Sequence, residues 1–432
     1  VAREVDAVLG FDPNDLFGPT FLDLVIGEIE THLIVQEQSG YMSMDQQRQV
    51  GVFIRSYFTT LKVRKRWDAD AVLNLSGFLV KGLCGIFDAP KGLVDVVHRF
   101  IDMEEILYTI PRYRDHFFHQ LKVFLLGFCL INQLNRAGKL RDSALSGPDG
   151  MRLWFLTSAF HDIGYPFQMM STWLDGFIGG VLRTPEPRAV SAHRRRAEPP
   201  YLPTSLHWGA LLAKDYHLWH FQCIVNRLCQ SYEGIWERDD LPKIAPRLAP
   251  CVAVDPDHGI YSSLILQNFL RTNLSDEHTD LVACAVALHN DRVAELLHVT
   301  TGAKLCFARD PLSFLLSYCD LAQDWGRARL LSPRTKDTEQ FGDNVFDNGS
   351  SPSTGAGGPE VLLLQGNTVT VDLRYCRDFA PGEVDEWREE MYDKRIEPLT
   401  KYWAASSGLD FCIRYFHGQT TAGRKALSEL VF

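Results

Sequence analysis

The chain has 432 residues, of which 46% are hydrophobic and 23% charged, and a formal net charge of −10. That is the make-up of an ordinary globular protein with room for one large domain or two to three smaller ones. The acidic balance counts against a general nucleic-acid binder, which needs a basic surface to displace counterions, but leaves room for a small basic pocket that takes a phosphorylated ligand. Ten cysteines lie singly in mostly apolar runs with no CxxC pair, which reads as buried reduced thiols rather than a cysteine zinc site. No stretch reads as a membrane span, and Val1-Ala-Arg-Glu-Val-Asp6 does not read as a signal peptide, so a cytoplasmic protein is expected.

Residues 1–100 read as a helical region. Phe21-Leu-Asp-Leu-Val-Ile-Gly-Glu-Ile-Glu30 and Val52-Phe-Ile-Arg-Ser-Tyr-Phe58 carry apolar residues at helical spacing, and Asp68-Ala-Asp-Ala-Val-Leu-Asn-Leu75 has the form of a capped start. Helical patterning continues over 101–334. Asn135 to Gly150 reads as an extended loop, and two proline-rich interruptions, Arg183–Pro203 and Pro242–Pro256, read as loops or insertions. Residues 335–360, centred on Asp347-Asn-Gly-Ser-Ser-Pro-Ser-Thr-Gly-Ala-Gly-Gly-Pro359, read as a flexible linker. From 361 to 432 the period changes. Val361–Gln365 and Thr368–Tyr375 around Gly366-Asn367 predict a hairpin, Glu383–Ala404 a helix and Leu409–Phe416 a further strand. The expectation is a mainly α protein with a small C-terminal ββαβ module.

The chemistry concentrates in the helical part. His161-Asp162 ends the apolar run Trp154-Phe-Leu-Thr-Ser-Ala-Phe160, about one helical step apart, so that one carboxylate could bridge to a second ion. A buried His and Asp are costly unless compensated, and a cation would compensate them. Four other ligand-type residues stand at the boundaries of apolar helical runs: His119 before the pair, then His258, His289 and Asp320 after it. His116 rivals His119 for the first place; the Lys122-Val123 that follows favours His119. Singly, each has an ordinary reading as a cap, a core group or an ion-pair partner. Together, four histidines and two aspartates can hold two divalent ions, with iron, manganese, nickel and zinc all compatible with imidazole and carboxylate. Such a pair lowers the pKa of a trapped water and clamps a phosphoryl oxygen.

In order and type, His119, His161-Asp162 and Asp320 resemble the H…HD…D pattern of the HD superfamily of metal-dependent phosphohydrolases, over roughly residues 100–332. With His258 and His289 the pattern is similar to the H…HD…H…H…D form of binuclear members, among them the HD-GYP phosphodiesterases and the mixed-valent di-iron oxygenases. The two intervals His258–His289 and His289–Asp320 are both 31 residues, enough for a helix out and a helix back. The resemblance implies an HD-type helical bundle with the metals at its centre. Asp162 would bridge them, and a metal-bridged hydroxide would attack a phosphate ester. The chain departs from HD-GYP proteins where Tyr165 replaces a lysine after the HD pair, and it has no later GYP signature, which counts against a cyclic dinucleotide of that kind.

A phosphorylated small-molecule substrate needs cationic groups beside the metals. Lys122, one helical step from His119, is the candidate, with Arg112, Arg114, Arg327 and Arg329 as further possibilities and His193-Arg-Arg-Arg196 as a basic loop. Tyr201, Trp208, Trp219 and Trp236 offer aromatic surface for a base or a core, and His207, His217 and His220 have only ordinary readings. The competing functions are a phosphohydrolase, a di-iron oxygenase on the same ligands, and a non-catalytic metal-binding signalling module that uses its flanks for partners or self-association as a homo-oligomer.

Overall fold

The structure is a computed structural model. It describes residues 19–35, 42–63, 69–107, 116–166, 258–302, 304–323, 356–375, 397–404, 409–417 and 425–431, together with Gln168, Arg227 and Ser231. The proline-rich interruptions, the aromatic residues 201–236, the linker residues 335–355, most of the helix expected at 383–404, and the arginines at 112, 114, 327 and 329 lie outside these residues. Among the described residues the chain is mainly helical, with a few strands near its C-terminus. Helices α1 (Pro19–Val35), α2 (Met44–Val63), α3 (Ala69–Ile86) and α4 (Lys91–Leu107) lead into the long α5 (Phe117–Arg136). After a 3-10 turn at Ala144–Ser146 come α6 (Gly150–Ser158), α7 (His258–Leu270), α8 (Asp276–Leu288), α9 (Asp291–Thr301), the short strand β1 (Leu305–Cys306) and α10 (Pro311–Ala322).

Local chemistry sets these boundaries. Ser275 caps α8, its hydroxyl accepting from His278 N–H at 3.2 Å. Asp310 caps α10 the same way through Ser313 N–H at 3.2 Å, with Pro311 at the first helical position, where its missing donor costs nothing. Each cap is worth about 1 kcal/mol. The connection from Asn135 to Gly150 is tighter than an extended loop: Leu140 and Leu145 are buried, and Gly138 at φ +68° and Asp142 at φ 65° turn the chain.

Helix α5 is the axis of the bundle. It is long and apolar enough to cross a membrane, with a mean hydropathy of 1.3, which corrects the expectation that no stretch is; yet 94% of that window is buried by the rest of the protein. It also buries Gln120, Lys122 and Asn132, polar side chains that suit a core helix with fixed neighbours. Gly127 lets α6 lie against it, because a Cβ there would meet the Trp154 ring at 1.9 Å. Trp154 uses that approach to donate its indole N–H to Phe124 O at 3.0 Å. Helices α7 and α8 form a hairpin fastened by Ser263 Oγ donating to Ala283 O at 2.6 Å.

The C-terminal elements are β2 (Ala356–Gln365), β3 (Thr368–Tyr375), the short helix α11 (Glu397–Tyr402), β4 (Trp403–Ala404), β5 (Asp410–His417) and β6 (Lys425–Val431). Four of the strands form one sheet in the order β2-β3-β5-β6, with β3 and β5 parallel and both outer pairs antiparallel. The hairpin falls where Gly366, at φ +60°, predicts it. Two corrections follow. Strand β2 begins at Ala356, inside the stretch read as linker, because Ala356 and Pro359 take up the register of Tyr375 and Leu373. A fourth strand, β6, extends the ββαβ module; its residues Lys425-Ala-Leu-Ser-Glu-Leu-Val431 do not alternate cleanly, and pairing with β5 draws them into the sheet.

Helices and sheet share one continuous apolar core, running from Phe21 to Ile413. Phe314 and Phe411 meet with ring centroids 4.6 Å apart, Tyr318 donates to Cys412 O at 3.0 Å, and β1 pairs with β4. Gln133 of α5 reaches the edge strand β2. Its amide accepts from Leu364 N–H at 2.9 Å and donates to Leu362 O at 3.3 Å, as a neighbouring strand would. The helix that carries His119 is thereby tied to the sheet.

Candidate metal centre

Helix ends converge on one buried point. His119 lies in the first turn of α5, His258 is the first residue of α7, His289 caps the C-terminus of α8, and Asp320 lies in the last turn of α10. His161 and Asp162 stand in the turn that follows α6, rather than on a helix as the pattern suggested. His119, His161 and Asp162 are buried almost completely, His161 at 0% and Asp162 at 4% exposure. The opening lies over Asp320 and His258, whose side chains are 28% and 20% exposed.

The six side chains sort into two groups that share Asp162. Its Oδ2 lies 3.7 Å from His119 Nε2 and 3.6 Å from His161 Nε2. Those two nitrogens are 3.3 Å apart, and Asp320 Oδ1 is 2.7 Å from the first and 3.7 Å from the second. The other carboxylate oxygen, Asp162 Oδ1, lies 3.4 Å from His258 Nε2 and 3.5 Å from His289 Nε2, which are themselves 3.2 Å apart. His119, His161 and Asp162 bring one donor atom each within 4.8 Å of one another, as do Asp162, His258 and His289, a span that a metal ion can draw together. The buried His/Asp cluster could therefore hold a metal ion. Its imidazole nitrogens and carboxylate oxygens suit a first-row divalent ion.

All four rings turn Nε2 inward because Nδ1 is engaged. His161 Nδ1 is 2.8 Å from Ser158 O and His289 Nδ1 is 2.5 Å from Val286 O. A carbonyl can only accept, so Nδ1 carries a proton, and the neutral ring offers its lone pair at Nε2. Both carbonyls belong to the last turn of a helix, where they have no partner within it. His258 Nδ1 lies 2.8 Å from Gln168 Oε1, which also receives His258 N–H at 3.2 Å, so that atom is the amide oxygen. His119 Nδ1 meets Gln323 Oε1. The carbonyl ends of α6, α8 and α10 bring negative poles to the cluster and the N-terminal ends of α5 and α7 bring positive ones, so the helix dipoles partly offset there.

The electrostatics agree with a cation site. Burial alone would raise the Asp162 carboxyl, but the positive character of His161, the hydrogen bond to His289 and the charge of His258 hold it well below the usual carboxylate range. Burial would likewise raise Asp320, and the bonds to His119 and His161 hold it down. Burial would lower His289, yet the hydrogen bond and charge of Asp162, followed by the charge of Asp320, push it up to about 9. Burial and then the neighbouring Asp320 push the Cys319 thiol well up, so it does not compete as a thiolate ligand.

His116 is excluded from the cluster by its own partners. Its N–H donates to Glu104 Oε2 at 3.2 Å, its Nδ1 is 3.9 Å from Glu104 Oε1, and its ring stacks on Tyr165 with centroids 3.4 Å apart. Tyr165 also sets an edge against His258, 5.6 Å between centroids. Lys122 is on the same face of α5 as His119 and is 0% exposed, a place lysine seldom takes without compensation. Glycines allow the close approach. A Cβ on Gly164 would lie 2.6 Å from Ser262 N and 2.7 Å from His258 O, so only glycine lets the HD turn touch the start of α7.

Sequence reasoning brings out the six ligand-type residues and misses the groups that aim them. Gln323 follows Asp320 by one helical step, a spacing that could have been noticed. Gln168 carried no such signal, and neither did the carbonyls of Ser158 and Val286. The six described cysteines are free thiols, five of them buried.

Compared with protein-family models, with curated proteins and with solved structures, the chain finds no match.

Proposed function

We propose that this chain is a metal-dependent phosphohydrolase of the HD type, acting on a nucleotide or related phosphorylated small molecule through two divalent ions. The observation that carries the reading is the division of the Asp162 carboxylate, whose two oxygens face two separate histidine pairs. A single-metal site has no use for the second pair. Two bound ions would supply a water acidified towards neutrality and a Lewis-acid clamp on a phosphoryl oxygen.

The chain's own residues then have distinct tasks. Asp162 spans both positions and fixes their separation. His119, His161 and Asp320 hold one ion; His258 and His289 hold the other and leave it fewer protein ligands, and the opening lies over Asp320 of the first group and His258 of the second. Neutral imidazoles with the proton on Nδ1 keep the net charge of the occupied site positive, which suits an anionic ester. Lys122, on the His119 face of α5 and fully buried, is the cationic group assigned to charge on the phosphoryl oxygens. Tyr165, at the place of an HD-GYP lysine, packs between His116 and His258.

Purified protein loaded with manganese, iron or nickel should release phosphate or product from a panel of nucleotides, dinucleotides and phosphomonoesters. His161→Ala and Asp162→Ala should abolish the release. No turnover across the panel with two ions bound overturns the hydrolase reading; oxygen uptake with a mixed-valent iron spectrum would replace it with an oxygenase.

A further inference from the structure

The two halves of the cluster are built alike, and the likeness extends to the groups behind the ligands. Each half has one histidine at a helix C-terminus, His161 after α6 and His289 after α8. Each of these gives its Nδ1–H to a carbonyl three residues earlier. Each half also has one histidine at a helix N-terminus, His119 in α5 and His258 in α7. At that end the free backbone groups are N–H donors, and no local carbonyl is spare. An acceptor for Nδ1–H must come from elsewhere in the chain, and in both halves it is a glutamine amide.

We infer that Gln323 and Gln168 are a matched pair of positioning residues, one for each metal position, that aim the Nε2 of His119 and of His258. The inference rests on the two-metal reading and goes beyond it by assigning each position its own support. Both glutamines are anchored. Gln323 is fully buried, and its N–H donates to Cys319 O at 2.9 Å, so α10 supplies both Asp320 and this amide to the same half. Gln168 donates its N–H to Gly164 O at 3.4 Å, one turn beyond the HD pair. Its amide oxygen takes two bonds from His258, through Nδ1 and the backbone N–H, which fixes the ring and the start of α7 together. Replacing an outer acceptor of this kind typically weakens metal binding about 10–100-fold. Because the two amides meet histidines of different halves, the loss should fall on one position and spare the other.

The test uses the full chain and cobalt(II) alone. Titration is followed by the ligand-field absorption of the bound ion, and anomalous scattering from crystals locates each ion. The unmodified chain should take two ions. Gln323→Leu should weaken the position between His119, His161 and Asp320 by about 10–100-fold and leave the other unchanged. Gln168→Leu should do the reverse. Gln323→Glu and Gln168→Glu, whose carboxylates still accept Nδ1–H, should restore binding. A merely structural role would lower both positions together and would not be rescued by glutamate. Two ions at unaltered affinity in both leucine variants, or equal weakening of both positions, overturns the inference while leaving the two-metal reading intact; no ion in the unmodified chain overturns both. Should Gln323→Leu not fold, the half-buried Gln168 pair decides alone.

Discussion

Removing the charge of Asp162 gives a sharp test of how the metal-free site is held together. In the metal-free protein His289 is pushed up to about 9 from its ordinary 6.5, chiefly by the hydrogen bond and charge of Asp162 acting against burial. The raised value means that folding favours the protonated ring. Its contribution is therefore fully present below pH 6.5 and is lost as the pH rises through 9. A rise of that size corresponds to about 3 kcal/mol at 1.36 kcal/mol per pH unit. Asp162→Asn keeps the shape and removes the charge, so burial then dominates and the ring stays neutral. Urea unfolding of EDTA-treated protein at pH 6 and pH 9.5 should show the unmodified chain losing about 3 kcal/mol more than Asp162→Asn over that interval. The difference between the two proteins cancels groups that titrate alike in both. Parallel stability curves would refute the coupling between Asp162 and His289.

Other expectations bear on the same architecture. Metal binding to this site should release protons near neutral pH, because His289 must give up its proton to become a ligand; calorimetry in buffers of different ionisation enthalpy reads the number, and apparent affinity should fall as the pH drops below 9. Gly164→Ala should cost about 1–3 kcal/mol in a denaturant melt and weaken metal uptake at the His258 position, since its Cβ would press on the backbone of Ser262 and His258. Gly127→Ala should cost a similar amount, about 1–3 kcal/mol, through the Trp154 ring; as Gly127 lies two turns from His119, metal uptake by the folded fraction should be unchanged.

The candidate ligand set was legible because each member interrupts an apolar run. A histidine or aspartate at the edge of a hydrophobic helix is conspicuous, and six in one chain suggested a common purpose. Chain order also placed His258 at a helix start and His289 and Asp320 at helix ends, where they stand. What the pattern could not supply was partnership across distance. The Gln323 amide meets a ring 204 residues earlier, and Gln168 a ring 90 residues later, and nothing in local spacing encodes either pairing. The second 31-residue interval shows the same limit: instead of a simple helix out and back it holds α9, β1 and most of α10, because Leu305–Cys306 finds its strand partner at Trp403–Ala404. Strand β6 was obscure for a related reason, as its identity comes from pairing with β5 rather than from its own alternation.

The grip of Gln133 on strand β2 has a consequence for how the chain behaves in solution. Val361-Leu-Leu-Leu364 is a run of four branched apolar residues on an outer strand, the type of segment through which molecules zip together into fibrils. By occupying the free N–H of Leu364 and carbonyl of Leu362, one side-chain amide denies a second molecule its first two rungs. The long core helix thereby caps this stretch of the β2 edge.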